Sequence, residues 1–478
     1  MSIFIQNVKM VNDEMEIEEG SIYVENSRIE EIIPGTWQAE YPYNNAREVI
    51  RGDNMLVIPG LINAHYHSYS NLFKGTENYF PLEPWTLYTV AYGHALAEED
   101  IKLSVQLGAI EMMKNGITSC LDHFPHISYS EAALQAYEAS GMRVSFAPMM
   151  HDIPDHQFLP VELPQDILEQ LNQSRAPSHR EIELFYQELL RNWQDKNQKI
   201  TIMAAPNAPQ RCSTEMLAMC EKLSNEYGLH IHTHLLETKI QQEISEKKLS
   251  GSVDYLGRHG LVNSQLTVAH AVWLQERELE LLNEANVTIV HNPHSNMILG
   301  SGRAPIGKYL RKGISVALGT DASNCGTQHN LFEIMRSTIM LDRIGELDFG
   351  KWLHASDVFK MATQYGACAM GKQEHLGQVR QGQLADLVLL DTTNATWTPE
   401  NDVISQLVFN ENGQSVDSVM IGGEWTVKNR KILSIDEEEI IWKVKKQRGE
   451  LFAKCTSNLS FAEKQLPYYK SMYYSYSN

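Results

Sequence analysis

Gly228-Leu-His-Ile-His-Thr-His-Leu-Leu-Glu237 reads as one repeat of a larger pattern: a helix stop, a short buried strand, then polar groups where the strand ends. The glycine suits the left-handed turn that closes a helix. The run behind it is largely apolar on both faces, as a buried parallel strand is. The same rhythm recurs outward in both directions. It appears at Gly116-Ile-Thr-Ser-Cys-Leu-Asp122, Gly141-Met-Arg-Val-Ser-Phe-Ala147, Ile200-Thr-Ile-Met-Ala204, Leu266-Thr-Val-Ala-His270, Asn286-Val-Thr-Ile-Val-His291 and Gly313-Ile-Ser-Val-Ala-Leu-Gly319. Val57 to Ala64 supplies the first strand, which brings the number to eight. Helical stretches lie between them, so the expected fold is α/β, a (β/α)₈ TIM barrel over residues 59–371. No Gly-rich turn of dinucleotide or P-loop type supports an open sheet.

The ends alternate instead. Residues 1–58 and 372–430 carry period-two segments such as Ser21-Ile-Tyr-Val-Glu25 and Val416 to Ile421. Together they predict one small β-sandwich built from both termini. Residues 431–478 form the remainder, with a helical period over 434–455 and acids at Asp436 to Glu439 where a helix N-terminus favours them. The Tyr-rich stretch from Pro467 to Asn478 shows no clear period and is expected to be a frayed or partner-packed tail.

Composition narrows the function. Sixty acidic against forty basic residues give a formal charge of −20 over 478 residues, which disfavours nucleic acid and anionic membranes as partners. Apolar runs such as Ile314 to Leu318 fall far short of the roughly 20 residues that a membrane span needs. The acidic, alternating N-terminus does not read as a secretory signal, and six scattered cysteines without a CxxC suit a reducing cytoplasm. A cytoplasmic location is expected.

Barrel enzymes place their reactive groups at the C-terminal ends of the strands. Those positions hold His65, His67, Asp122, His123, Asn207, His234, Glu237, His270, His291 and Asp321. Period-two geometry turns His65 and His67 to the same side. Imidazoles with a carboxylate from Asp321 make an N₃O set suited to Zn²⁺, with Fe²⁺ the alternative, and no cysteine competes for a closed structural site. The strand-four loop, Ala205-Pro-Asn-Ala-Pro-Gln210, offers no lysine to bridge two ions, so one divalent metal per chain is expected. Glu237 is suited to carrying protons beside that ion, whereas His230 and His232 read as packed core histidines.

Pro59-Gly-Leu-Ile-Asn-Ala-His-Tyr-His67, His232-Thr-His-Leu-Leu-Glu237, Ala269-His270, His291-Asn-Pro-His-Ser-Asn296 with Leu299-Gly-Ser-Gly302, Leu318-Gly-Thr-Asp321 and Gly377 to Val388 occur in consistent order over nearly the whole chain. In these motifs the sequence resembles the amidohydrolase superfamily, and within it the triazine hydrolase and guanine, cytosine and adenosylhomocysteine deaminase branch. The resemblance implies metal ligands His65, His67, His234 and Asp321, with Glu237, His270 and Asp321 catalytic. It implies hydrolytic removal of ammonia from an amine-bearing carbon of a small nitrogen heterocycle. Dechlorination or dealkylamination of a triazine and cyclic-amide hydrolysis are alternatives that use the same centre. Homodimers or higher homo-oligomers are implied in the same way. A catalytically silent assembly protein is the remote alternative, since it would be expected to have lost a ligand or the proton shuttle. Candidate substrate contacts are Trp85, Asn207, Gln210 and Arg211, followed by His123, His294, Asn296 and Arg303. Asn207 stands where nucleoside-deaminating members typically carry a histidine, which points away from adenosylhomocysteine or methylthioadenosine.

Overall fold

The computed structural model describes residues 2–36, 43, 46–173 and 177–476. The N-terminal part supplies β1 (Ser2–Val11), β2 (Ile17–Glu25), β3 (Arg28–Pro34), β4 (Glu48–Arg51) and β5 (Met55–Pro59). The middle supplies β6 (Leu61–His67), β7 (Ile117–Phe124), β8 (Arg143–Met150), β9 (Ile200–Ile202), β10 (Ala205–Pro206), β11 (Ile231–Leu235), β12 (Leu266–His270), β13 (Thr288–His291), β14 (Val316–Leu318) and β15 (Asp321–Ala322). After the middle come β16 (Leu387–Asp391), β17 (Val416–Ile421), β18 (Glu424–Lys428) and β19 (Lys431–Ile432).

All eight strand candidates are strands. β6, β7, β8 and β9 pair in parallel, each with the next, and a parallel bridge from Ala204 to Ile231 leads on to β11. β11 to β14 continue in parallel, and Asp321 of β15 pairs with Tyr66 of β6. The strand order therefore returns to β6, with β14 linked to β15 by the chain rather than by a strand pairing. Every residue of β6, β7 and β8 is buried, which is why these runs are apolar on both faces.

The run Val57 to Ala64 is divided between two sheets. β5 pairs antiparallel with β16, while β6 enters the ring beside β7. Gly60 stands at the break, where a Cβ would meet Thr118 Oγ1 at 2.1 Å, so only glycine lets the chain pass so close to β7.

The strands from both ends form one nine-stranded sheet in the order β19-β18-β17-β16-β5-β1-β2-β3, with β4 beside β1. One face gathers Ile3, Ile5, Val57, Leu387, Leu389 and Met420 into a core of its own. The alternate residues Leu56, Ile58, Val388 and Leu390 join the larger core under the ring. A buried bidentate ion pair ties the two parts together: Arg143 of β8 donates from Nε and Nη2 to Asp386, each at 2.8 Å.

The C-terminal stretch departs from expectation. A single helix runs from Glu437 to Tyr476, and Asp436 caps it by accepting from the amide of Glu439 at 2.9 Å. The Tyr-rich segment is thus packed helix as far as Tyr476, with Tyr469 and Met472 buried against Phe158 and Ile240; residues 477 and 478 lie outside the described residues.

Candidate metal centre and substrate pocket

The strand ends bring six side chains into one cluster. His67 Nε2 lies 3.2 Å from Asp321 Oδ1 and 3.4 Å from His234 Nε2; His65 Nε2 lies 3.7 Å from the same Asp321 oxygen. His270 Nε2 stands 3.7 Å from Asp321 Oδ2 and 3.7 Å from Glu237 Oε2.

The other ring nitrogens explain why these Nε2 atoms face inward. His67 Nδ1 donates to the carbonyl of His123 at 2.6 Å, and His234 Nδ1 donates to the carbonyl of Asn207 at 2.7 Å. His65 Nδ1 sits 2.9 Å from His232 Nε2, and His270 Nδ1 donates to Asn296 Oδ1 at 3.0 Å. A hydrogen bond on Nδ1 fixes the tautomer that leaves the Nε2 lone pair free. His270 (φ 72°), Ala271 (φ 47°), Leu236 (φ 44°) and Asp321 (φ 61°) all adopt left-handed backbone where strands give way to loops. Such strained conformations persist where the surroundings over-determine them, and the turn at Leu236 carries Glu237 back towards the cluster.

The electrostatics fit a cation. Burial, followed by the neighbouring imidazoles, lowers His65 and His234 well below the usual imidazole range, so both present neutral lone pairs. Burial works to raise Asp321, but the hydrogen bond with His67 and the charges of His270 and His67 outweigh it and hold the carboxyl well below its ordinary value. His67 is raised: burial opposes its charge, but contact with Asp321 prevails. The Asp321 carboxylate faces His65, His67 and His270 in a buried site, and His65 Nε2 has no hydrogen-bond partner. A divalent ion answers all of these features. His65, His67 and His234 form one metal-competent group, and His65, His270 and Asp321 a second that shares the cluster. A third, His65 with His123 and His232, lies deeper. Glu237 is raised, chiefly by burial, with Asp321 adding to the effect and His270 opposing it.

A pocket of about 140 Å³ opens over this cluster. His67, His234, Glu237, His270 and Asp321 form its floor; His65 lies below and does not line it. Trp85, Asn207, Gln210 and Arg211 all line it, as the sequence reading expects. Trp85 comes from α1 (Leu82–Gly93), is 7% exposed, and has an Nε1 without a hydrogen-bond partner.

The further candidates are placed elsewhere. His123 is fully buried behind His67 and supplies a carbonyl. His294 is held by Thr327 and, at 2.7 Å, Ser337, while Arg303 reaches the carbonyl of Leu341 at the surface. Asn296 does not line the pocket; it anchors His270 from behind. His291 stays beneath the floor, its pKa pushed down to about 3 by burial and then by His270 and His294. The sequence reading missed Thr86, Thr89, Val90, Met149 and Gln241 as pocket walls. Thr86, Thr89 and Val90 share α1 with Trp85 at helical spacing, a signal that was available in the sequence.

Parallel strands carrying imidazoles and carboxylates at their ends define the class: an α/β protein with a metal-competent centre. More narrowly, the chain belongs to the amidohydrolase family, whose model matches residues 56–426. It is 31% identical over 449 residues, 93% of this chain and 97% of the relative, to the 5'-deoxyadenosine deaminase of Methanosphaera stadtmanae. It is 33% identical over 395 residues, 82% and 88% of the two chains, to the 5-methylthioadenosine/S-adenosylhomocysteine deaminase of Pyrococcus furiosus. Among solved structures it resembles a zinc-bound adenosine deaminase from Xanthomonas campestris, with a TM-score of 0.83, 24% identity, and 94% and 98% of the chains covered.

Proposed function

We propose that the protein is a metal-dependent aminohydrolase that removes ammonia from an amine-bearing carbon of a nitrogen heterocycle. The observation that carries this reading is the pairing of an ion-ready cluster with Glu237, a carboxyl that is buried, raised in pKa and 3.7 Å from His270 Nε2 at the floor of a ring-sized pocket. His65, His67, His234 and Asp321 would hold one ion, Zn²⁺ by preference for this N₃O set. When bound, that ion supplies a water acidic enough to attack at neutral pH.

The chain's own groups do the rest. Glu237 delivers a proton to the ring nitrogen beside the amine-bearing carbon, which makes that carbon more electrophilic. His270, fixed by Asn296 through Nδ1, turns Nε2 towards the oxygen and, once protonated there, donates a hydrogen bond to it as negative charge develops. Asp321 accepts the proton released as the attack proceeds, and Glu237 passes protons on to the departing amine. Trp85 offers a flat face and a free indole N–H to the ring, and Asn207, Gln210 and Arg211 line the same wall.

The relatives named as deaminases of 5'-deoxyadenosine and of 5-methylthioadenosine or S-adenosylhomocysteine support an adenosine-type ring. They outweigh the departure at Asn207, which alone pointed elsewhere.

Residues 59–371 make the catalytic unit in this account. The described strands of 1–58 and 372–430 share one sheet, in keeping with a composite small β-sandwich, and the described part of 431–478 is chiefly the helix Glu437–Tyr476. No described helix is long and apolar enough to cross a membrane. A cytoplasmic homodimer or higher homo-oligomer fits the charge, the cysteines and the exposed apolar side chains of Ile344 (77% exposed), Leu347 (95%) and Phe349 (80%).

Ammonia release by zinc- or iron-loaded protein tests the reaction against guanine, cytosine, pterins, melamine-type triazines and adenosine derivatives. Release from one ring class, lost in Glu237→Ala with metal retained, is the expected result. Undiminished turnover in that variant would sink the mechanism.

A further inference from the structure

Asp321 sits in a turn that other groups must hold. Its backbone is left-handed (φ 61°), a conformation that costs a non-glycine residue energy and persists only where the surroundings fix it. Its carboxylate accepts from the amide of Ala322 at 2.7 Å, a contact within the turn that anchors it to nothing else.

The anchor comes from His329, which is completely buried, lies outside the metal-competent groups and does not line the pocket. Its ring touches both sides of the turn: Nδ1 lies 2.7 Å from Thr320 Oγ1, and Nε2 lies 2.9 Å from Ser323 Oγ. Nε2 also lies 3.0 Å from Asn71 Oδ1, on the 3₁₀ turn Ser68–Phe73 that follows His67.

Asn71 sets the direction of these bonds. Its Nδ2 donates to the carbonyls of Ser68 at 2.8 Å and Ser104 at 2.9 Å, so Oδ1 faces His329, and a carbonyl oxygen only accepts. His329 Nε2 therefore carries the proton. Burial pushes the ring's pKa down to about 4, so it is uncharged at neutral pH and Nδ1 accepts. Thr320 Oγ1 donates to it, which leaves the hydroxyl's lone pairs for Asn63 Nδ2 at 2.8 Å. Asn63 Oδ1 in turn accepts from the amide of Thr320 at 3.0 Å.

The backbone of His329 is held as firmly. Its amide donates to Glu111 Oε1 at 3.1 Å, and its carbonyl accepts from Asn115 Nδ2 at 3.2 Å. Glu111 belongs to α2 (Glu98–Lys114), and Asn115 is that helix's C-cap. The far side of the turn is tied to His67: the Ser323 amide donates to Ser70 Oγ at 2.8 Å, and Ser70 Oγ donates to the His67 carbonyl at 2.7 Å.

We propose that His329 is a positioning residue for the metal centre: a strut from α2 that clamps Thr320 and Ser323 and so sets the Asp321 carboxylate against His65 and His67. The arrangement leaves little slack, because a catalytic constellation has to be held within about 0.5 Å to work. The inference rests on the reading of Asp321 as a metal ligand and adds a residue whose effect reaches the ion without touching it.

The test strips full-length protein of metal and titrates it with zinc against a chromophoric chelator, then measures ammonia release from 5'-deoxyadenosine per bound zinc. His329→Ala should weaken zinc binding about 10–100-fold and, at zinc saturation, lower kcat over about the same range with KM unchanged, the usual cost of losing a partner behind a metal ligand. His329→Gln, whose amide can donate to Asn71 and accept from Thr320, should recover the greater part of both losses. Thr320→Val removes the clamped hydroxyl with His329 in place and should also weaken zinc binding; it decides the matter should His329→Ala fail to fold. A residue needed for folding alone would lower the melting temperature of His329→Ala and leave zinc affinity and kcat per bound zinc at wild-type values. That result would overturn the proposal, as would unchanged zinc affinity in Thr320→Val or no recovery in His329→Gln. Zinc binding by wild type without ammonia release would count against the aminohydrolase reading, and the zinc affinities would still decide the strut. Wild type that binds no zinc would overturn both.

Discussion

Glu237, just past the end of β11, and Glu83, in the first turn of α1, show how two buried carboxyls can take different parts. Glu237 faces the pocket and the imidazole of His270; Glu83 lies in the first turn of α1, accepts from Thr238 Oγ1 at 2.6 Å, and leaves its other oxygen without a partner. Burial pushes Glu83 up to about 7, against the opposing hydrogen bond from Thr238. A group whose folded pKa exceeds its unfolded value binds more protons when folded, so it is least costly at acid pH and destabilises progressively as pH rises from about 4.5 to about 7. Glu83→Gln should therefore match wild type near pH 4 and be more stable at pH 8 by up to about 3 kcal/mol, as read by denaturant unfolding at both values. A variant equally destabilised at both would show that the carboxylate has a partner the fold depends on. Glu237→Gln should keep its metal and its melting temperature and lose about 10²–10⁴-fold in kcat, the usual range for a missing proton carrier. Asn296→Ala should leave the metal bound and cost about 10–100-fold in activity, because His270 loses the bond that fixes its tautomer.

At the scale of elements, the strands were legible because burial on both faces writes itself as short β-branched runs stopped by glycine or asparagine. The candidate cluster was legible for the same reason: His65, His67, His234 and Asp321 fall where those runs stop. Asn296 lies in the run His291 to Asn296, but its work depends on a contact with His270 that no local spacing reveals. The C-terminal helix was only half legible. Its buried positions Leu451, Cys455, Ala462, Gln465, Tyr469 and Met472 keep a near 3.5-residue spacing, yet Gln465 and the surrounding tyrosines mask it, and Pro467 reads as a stop. Proline inside a helix removes one hydrogen bond and crowds the preceding turn. Because the helix is continuous through Pro467, Pro467→Ala should stabilise the protein by up to about 3 kcal/mol in thermal unfolding. No gain would mean that the helix is interrupted there.

The whole molecule depends on two assemblies of strands keeping their relative position, and the composition of neither end announces how. Arg143 and Asp386, 243 residues apart, meet as a bidentate pair whose side chains are 5% and 4% exposed, and Asp386 also accepts from the amide of Gly422 at 2.7 Å. Removing one partner strands a buried charge, so Arg143→Met should cost about 3–5 kcal/mol, whereas a double replacement by apolar residues of similar size should recover much of it. Urea denaturation of the three proteins checks this. The division of Val57 to Ala64 at Gly60 was hidden because both halves are equally apolar; only the close approach to Thr118 decides it.

The account turns on where the ion sits. Diffraction from zinc-soaked crystals, recorded above and below the zinc edge, locates it without reference to activity. The account predicts one anomalous peak per chain, within bonding distance of His65, His67, His234 and Asp321. A peak in the deeper group of His65, His123 and His232, or none at all in zinc-saturated crystals, would contradict it.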